Sequence, residues 1–440
     1  MSLSSFFMPS RMADKDSSLA GAAHPVAGLI CLFGFFLHIT LSDPLLNSLG
    51  FHYSGEEGRF YEKIHPGTVF IFLSFLVLLC DGGNPIRRAG RIFRDYTICS
   101  ALFLLYVAMF LFMALRSGPA GLAFIIDTHM TVPLGVIVLA HTPLSYCRKA
   151  AGFFVAVAVM NGLIGMAESF GRFRLFAFDP TWNVLHEEHF RASALRGHPL
   201  NNAMFTSVAL FVALALRYAR LLKILTVFVL MASLVAFGSR VGLVFSAGAL
   251  AVYGCVQVRD FISRQRMSMQ QGFLLAAGVV FIPICFVVGL YLLVSSPMGE
   301  RLAATWGWEQ SAQSRILAFQ VLRYMSPEEI LTGIPAGRII AITDHLRMTM
   351  PFSDIENPWL MMFMNLGAFL FPFWLMATLA FALYLMRGRP LALQIAVLAY
   401  FITASTSNSF GRKDSTYLIM ACAVTCAARG LLSARGKART

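Results

Sequence analysis

Long apolar runs separated by short polar segments dominate the pattern along the chain. A bilayer core of about 30 Å is crossed by roughly 20 apolar residues in a helix. Ser239 and Arg240 divide two neighbouring runs, because an arginine at mid-membrane would be costly. The pattern predicts twelve membrane-spanning helices, over 24–42, 66–80, 98–115, 119–141, 150–168, 203–217, 221–238, 241–257, 272–295, 358–386, 390–406 and 415–433.

The basic residues give these spans an orientation. With a cytoplasmic N-terminus, every short inside segment carries lysine or arginine, which is the bias expected of cytoplasmic loops. The first outside segment, after span one, is instead acidic and holds Asp43, Glu56, Glu57 and Glu62. The sequence therefore predicts an even number of spans with both termini inside.

Composition supports a membrane protein and excludes other classes. Of the 440 residues, 58% are hydrophobic and 13% are charged, whereas soluble domains carry about 25% charged residues. Disorder, a fibrous fold and most soluble enzymes are excluded. The net charge of +13 is spread over clusters between apolar runs, so no nucleic-acid partner is expected. The eight cysteines lie in or beside apolar runs, so neither a disulfide framework nor a metal site is expected.

Two long segments stand out on the predicted outer side, 169–202 and 296–357. Loops of this length are usually functional, and the inside loops are only long enough to turn. Residues 314–323 form an amphipathic stretch that predicts a helix on the membrane surface. We interpret residues 1–440 as one polytopic membrane domain whose active-site face is built by these two loops.

Cations cluster at the end of the first long loop. Arg191, Arg196 and His198 lie within eight residues, directly before the sixth span. Guanidinium groups bind phosphate oxygens through two hydrogen bonds and stay charged near a membrane, so a phosphorylated ligand is one interpretation. The alternative is that these arginines pair with acidic residues of the same loop and hold it in place.

Three further charged residues have two interpretations each. Arg240 in its tight turn and Arg315 on the amphipathic stretch either contact a substrate phosphate or reach towards lipid headgroups. Asp127, close to His129 in the fourth span, is either functional or a structural polar residue, because ionisable groups in spans usually face the bundle interior.

A carboxylate lies at the start of the tenth span. Glu356 and Asn357 precede Pro358, a normal helix start, and charge and capping alone explain them. The alternative is that Glu356 is a general base at the membrane edge, with Asp354 and His345 as competing bases and Asn357 orienting a sugar.

These stretches resemble the O-antigen ligase and Wzy-type polysaccharide polymerase superfamily. The resemblance covers roughly 120–420 and consists of four short motifs in the family's order. They are Arg191 through Gly197-His198-Pro199, the turn Phe237-Gly-Ser-Arg-Val-Gly242, Arg315 through Ile330-Leu-Thr-Gly-Ile-Pro-Ala-Gly337, and Glu356-Asn-Pro-Trp-Leu360.

The resemblance implies a GT-C-like all-α bundle of about 12 transmembrane helices, with a large periplasmic loop between helices 9 and 10. It implies a metal-independent, cofactor-free inverting glycosyltransferase in the bacterial inner membrane that acts on undecaprenyl-pyrophosphate-linked glycans. Besides membrane lipids, polysaccharide export or chain-length-control proteins are expected partners. The residues expected to bind substrate are Arg191, Arg196, His198, Arg240, Arg315, Asn357 and Asp127, and those expected to act in catalysis are Glu356, Asp354 or His345.

Departures from the family pattern separate the alternatives. Ala194 replaces the usual glycine, and Glu356 stands where ligases commonly have histidine, which favours an exopolysaccharide polymerase over an O-antigen ligase. A twelve-span transporter or flippase is a third interpretation, since Gly83–Arg91 is similar to a transporter motif. Arg87 replaces the acidic residue of that motif, however, and the long inside loop after span six is missing.

Overall fold

The protein is helical throughout its described regular structure. The computed structural model describes residues 23–53, 60–81, 83–117, 122–176, 190–264, 287–289, 291–296, 315–349, 355–407 and 410–436. The α-helices are α1 Pro25–Thr40, α2 Asp43–Ser48, α3 Pro66–Cys80, α4 Pro85–Asp95, α5 Thr97–Ser117, α6 Thr131–Ala140, α7 Leu144–Gly171, α8 Pro199–Ala215, α9 Arg220–Ala236, α10 Arg240–Arg264, α11 Pro327–Thr332, α12 Ala336–Thr349, α13 Pro358–Met386, α14 Leu391–Ala404 and α15 Thr416–Gly436. Short 3₁₀ helices cover Phe60–Lys63 and Ala318–Tyr324, and a π-helix covers Ile125–Met130.

A polar residue followed by proline starts six of these helices. Proline lacks the amide hydrogen that the first turn cannot use, and the preceding side chain accepts a hydrogen bond from a free amide of that turn. The capping residues are His24, His65, Asn84, His198, Ser326 and Asn357. Local sequence therefore fixes where these helices begin.

Helices occupy the predicted spans that the structure describes. Only the ninth, 272–295, lies mostly outside the described residues. Among the described residues, four helices are long and apolar enough to cross a membrane: α5 over Thr97–Arg116, α7, α10 over Arg240–Ser263, and α13. A fifth qualifies if α3 and α4 count as one bent span, and five more apolar helices are shorter. These helices fit a membrane protein, whereas the number of crossings stays a prediction.

Close helix packing builds the bundle core. α1 packs on α3, α8 on α14, and α15 on α6, α7, α8 and α14. At the α1–α3 contact, a Cβ on Gly34 would come within 2.6 Å of the Gly67 carbonyl oxygen. Only glycine permits this approach of two backbones, as is common between membrane helices.

A π-helical turn directly precedes α6 and extends it at its N-terminal end. Single π-turns occur frequently at functional sites. Here the turn buries Asp127, Thr128 and His129 completely. Three consecutive polar residues thus lie inside the bundle, where they bind neighbouring segments.

The second long loop forms a small helical unit with its own core. We call residues 315–349 and 355–366 the outer unit, after the side predicted for this loop from the sequence. Its buried side chains include Val321, Ile334, Leu346 and Met361. The amphipathic stretch predicted to be a helix is helical, with a 3₁₀ turn over Ala318–Tyr324.

The outer unit joins the bundle at a break in α13 that the single predicted span 358–386 did not anticipate. Gly367 has φ +66° and ψ 177° inside that helix. The Ile334 amide donates to the freed Met364 carbonyl oxygen at 2.7 Å. Arg116, at the end of α5, donates to the carbonyl oxygens of Thr332, Ile334 and Asn365. These hydrogen bonds from Ile334 and Arg116 therefore replace the backbone hydrogen bonds that the break removes.

Candidate functional site

The cation-bearing loop before α8 is held by a buried glutamate. The Glu168 carboxylate, at the end of α7, accepts hydrogen bonds from the amides of Leu175, Ser193 and Ala194 at 2.7–2.8 Å. Ala194 has φ +38°, in the left-handed region that favours glycine. Ala194, at the position where the resembled family usually has glycine, therefore adopts a backbone conformation that glycine accommodates most easily.

Arg196 is buried and ties three segments together. Its guanidinium donates to the His38 carbonyl oxygen at 2.6 Å and to Ser415 Oγ at 2.7 Å. The carboxylates of Asp414 and Asp43 interact with it electrostatically. These contacts give Arg196 a structural role with partners outside its own loop. The acidic loop residues Asp179, Glu187 and Glu188, its expected partners in the structural alternative, lie outside the described residues, and its contact with a substrate stays a prediction.

Arg191 lies near the predicted turn that carries Arg240. The Ala192 amide donates to the Ala236 carbonyl oxygen at 3.2 Å, and α10 begins at Arg240 four residues later. Arg174 donates to the Arg191 carbonyl oxygen from its Nε and a terminal nitrogen, at 3.2 and 3.1 Å. The backbone therefore brings these two predicted phosphate ligands to the same end of the bundle.

Two arginines act on His198: the predicted ligand Arg191 and Arg412, which was not among the predicted site residues. Burial, together with the charges of Arg191 and Arg412, lowers the pKa of His198 to about 3. Its Nδ1 accepts a hydrogen bond from the Leu200 amide. His198 is therefore a neutral cap near physiological pH, while Arg191 and Arg412 supply positive charge around it.

The π-helical turn fixes the backbone that carries Arg412. Thr128 Oγ1 donates to the Arg412 carbonyl oxygen at 3.0 Å and accepts from the Asp414 amide at 2.9 Å. His129 Nε2 donates to the Phe410 carbonyl oxygen at 2.8 Å. A buried polar turn can position an exposed cation in this way. The adjacent charges Arg412, Lys413 and Asp414 in a short predicted outside loop were the sequence signal for it.

Asp127 is the centre of a buried hydrogen-bond network. It accepts from Tyr53 Oη at 2.9 Å, from the His65 amide at 3.0 Å and from Thr68 Oγ1 at 2.7 Å. Lys413 donates to the Tyr53 carbonyl oxygen and lies over the Tyr53 ring at 4.3 Å. The carboxylate thus ties the segment after α2 to α3 and the π-turn, which favours the structural interpretation of Asp127.

The predicted base lies in an ion pair at the head of α13. An Arg315 terminal nitrogen is 3.1 Å from Glu356 Oε2, and it also contacts the Thr406 carbonyl oxygen at 3.4 Å. Both side chains keep partial exposure, 36% for Arg315 and 25% for Glu356. Asn357 caps the helix by accepting from the Trp359 and Leu360 amides at 3.1 Å, so its amide nitrogen is the part left to orient a sugar.

The competing bases have different surroundings. His345 is exposed on α12, with its ring edge-on to Tyr324 at 5.3 Å. Asp354 lies outside the described residues. Glu356 is therefore the candidate base whose carboxylate the structure places against a cation.

The turn between α14 and α15 connects the two halves of the site. At one end, Thr406 contacts Arg315, and Ser405 Oγ accepts from Trp359 Nε1 at 3.0 Å. At the other end is Arg412, whose charge acts on His198. Six residues of chain span at most about 22 Å, which limits the distance between the Thr406 and Arg412 backbones. A carboxylate at one end of this turn and cations at the other fit an extended anionic ligand.

Comparisons with known proteins leave the family open. No protein-family model matches the chain, and no curated protein matches its sequence significantly. Within the described residues, no group of three or more His, Cys, Asp or Glu could hold a metal ion.

Proposed function

We propose that the protein is a membrane glycosyltransferase that polymerises undecaprenyl-pyrophosphate-linked oligosaccharide repeat units into an exopolysaccharide or O-antigen chain. It would have twelve spans and cytoplasmic termini, with the outer unit in the periplasm of a bacterial inner membrane. The observation that carries this proposal is the α14–α15 turn: its Thr406 contacts Arg315 of the Arg315–Glu356 pair, and its Arg412 acts with Arg191 on the charge of His198.

The cations have a direct role in the proposed reaction. The bond between the anomeric carbon and the pyrophosphate oxygen breaks, so negative charge develops on the leaving pyrophosphate. Guanidinium groups fixed in place beforehand stabilise such charge. Arg191, Arg240 and Arg412 would supply this stabilisation on the pyrophosphate side.

Glu356 would act on the acceptor side. An acceptor hydroxyl gives its proton to the Glu356 carboxylate while its oxygen forms the new bond to the anomeric carbon, which inverts that centre. Arg315 holds the carboxylate by an ion pair at 3.1 Å. Glu356 directly precedes Asn357, the cap of α13, so the start of that helix helps to position its carboxylate.

Turnover by purified variants in proteoliposomes with lipid-linked repeat units tests the assignment. Glu356→Gln should lower turnover by about 100-fold or more, the lower end of general-base contributions, without weakening donor binding. Glu328→Gln is a matched control, because Glu328 is exposed in α11 of the same outer unit. Asp354→Asn and His345→Ala test the competing bases in the same assay.

The products distinguish the polymerase from the ligase. Chains of increasing repeat number on the lipid carrier indicate a polymerase, whereas transfer to lipid A core or another acceptor indicates an O-antigen ligase. Near-normal turnover by Glu356→Gln would refute its role as base. Movement of intact donor across the membrane without any new glycosidic bond would instead show a flippase.

A further inference from the structure

Helix α4 is a basic helix fixed between two apolar helices. It follows α3 with a bend of 110° and precedes α5 after the single residue Tyr96. Asn84 caps its first turn by accepting from the Ile86 and Arg87 amides at 2.9 and 3.2 Å. If α3 crosses the bilayer, a helix bent by this angle lies along the membrane surface.

One face of α4 is anchored to the bundle. Ile92 is 4% exposed and packs in the main core. Arg88 forms an ion pair at 3.2 Å with Asp81, which also lies 3.2 Å from His24 Nε2. These contacts fix the rotation of α4 about its own axis.

The opposite face presents three arginines. Arg87, Arg91 and Arg94 are exposed, and residues three and four apart are neighbours on a helix surface. No described residue forms a hydrogen bond or an ion pair with their guanidinium groups. Asp95 is the only acidic residue of α4, so this face keeps a net positive charge.

We propose that the exposed face of α4 binds the headgroups of anionic phospholipids. Guanidinium groups bind phosphate oxygens in pairs of hydrogen bonds, and basic residues at a membrane surface attract anionic lipids. Ile86, 80% exposed beside Arg87, adds an apolar side chain suited to the acyl boundary. The inference depends on membrane association and not on the proposed transferase activity.

Lipid binding by purified protein tests this inference. The protein in neutral detergent is titrated with phosphatidylglycerol or phosphatidylcholine, and native mass spectrometry measures the bound lipid. Phosphatidylglycerol should bind preferentially, and Arg87→Gln/Arg91→Gln/Arg94→Gln should weaken its binding about tenfold or more. Arg87→Lys/Arg91→Lys/Arg94→Lys should retain most of the binding, because the positive charge remains.

Controls separate a specific face from overall charge and from free phosphate. Arg259→Gln/Arg338→Gln/Arg347→Gln removes the same charge from exposed positions elsewhere and should bind phosphatidylglycerol like the wild type. Equal weakening in both triple variants would overturn the proposal, as would full competition by inorganic phosphate. If the glutamine triple variant does not fold, Arg91→Gln alone should still weaken binding, and unchanged binding would refute the proposal.

Discussion

At the residue scale, Ala194 holds a strained backbone conformation. Its φ of +38° is costly for any residue with a Cβ. The conformation persists because the Ala194 amide donates to the buried Glu168 carboxylate at 2.8 Å. The loop therefore keeps its shape through hydrogen bonds rather than through local preference.

Glycine at this position should stabilise the protein. Ala194→Gly removes the steric cost and should raise the free energy of unfolding by about 0.5–1 kcal/mol, after the larger entropy of the unfolded chain is subtracted. Thermal unfolding in detergent measures the change. Ala192→Gly is the matched control, since Ala192 is equally buried without a positive φ, and it should destabilise. A lower melting temperature for Ala194→Gly would contradict the argument.

His198 gives the protein a pH dependence of known sign. Its pKa falls from the ordinary 6.5 to about 3 because burial and two nearby arginine charges disfavour the imidazolium form. The unfolded chain then binds more protons between those values. The contribution of His198 to the free energy of unfolding is thus complete above pH 6.5 and decreases as the pH falls, by at most about 1.4 kcal/mol per unit.

Asparagine should remove this dependence and keep the helix cap, since its side-chain oxygen can accept from the Leu200 amide. The melting temperature of wild type minus that of His198→Asn should decrease from pH 7.5 to pH 5. Taking the difference separates the effect of His198 from that of Asp414. Burial raises the pKa of Asp414 to about 6, so its contribution to stability changes with pH in the opposite direction. A difference that is constant with pH would show that His198 is not held neutral.

At the element scale, the break in α13 depends on two glycines in contact. A Cβ on Gly367 would overlap the Gly333 nitrogen and the Leu331 carbonyl oxygen. Both clashes are with backbone, so no side chain can move aside. The contact joins the outer unit, which carries Glu356, to the bundle.

A methyl group at residue 367 should force the backbone of α13 away from Gly333 and Leu331. Gly367→Ala should cost more than about 3 kcal/mol through overpacking and backbone strain together. Gly388→Ala is the control, because Gly388 has a similar φ of +68° with nothing within 4 Å of its Cβ position, and strain alone should cost about 1–2 kcal/mol. Thermal unfolding gives both values. Equal losses would mean that the contact with Gly333 contributes little.

Sequence patterns predicted the elements better than their connections. Apolar run lengths and polar–proline pairs locate most helices, because both signals are local. No charged residue or proline stands at Gly367 within its apolar run, so the sequence predicted a continuous tenth span. The pairing of Lys413 with Tyr53 joins residues 360 positions apart, and no local pattern predicts such a partner. Glu356 and Arg315 were selected as separate candidates, and only the fold brings them together.

At the scale of the whole molecule, hydrogen bonds group the connecting segments into two ends. Lys413 binds the Tyr53 carbonyl oxygen, and Arg196 binds that of His38. At the other end, the His24 amide donates to the His141 carbonyl oxygen at 2.8 Å, and Arg429 donates to that of Thr142 at 2.9 Å. Segments tied to each other in this way must lie on the same side of a membrane.

This grouping, together with the predicted spans and the basic residues of the short segments between them, predicts a topology. Reporter fusions at residues 55, 185 and 330 should all indicate one side, and fusions at 83, 143, 218 and 388 should all indicate the other. The basic character of the second set, with Arg87, Arg217 and Arg389 close by, places that set in the cytoplasm. A fusion at 330 that reports the cytoplasm would put Glu356 on the wrong side for a periplasmic lipid-linked donor and would refute the proposed function. The same result would also contradict the contact between Arg315 and Thr406 of the α14–α15 turn. That turn is tied to the segment before residue 55 by the hydrogen bond from Lys413 to Tyr53, so the two segments would lie on opposite sides of the membrane.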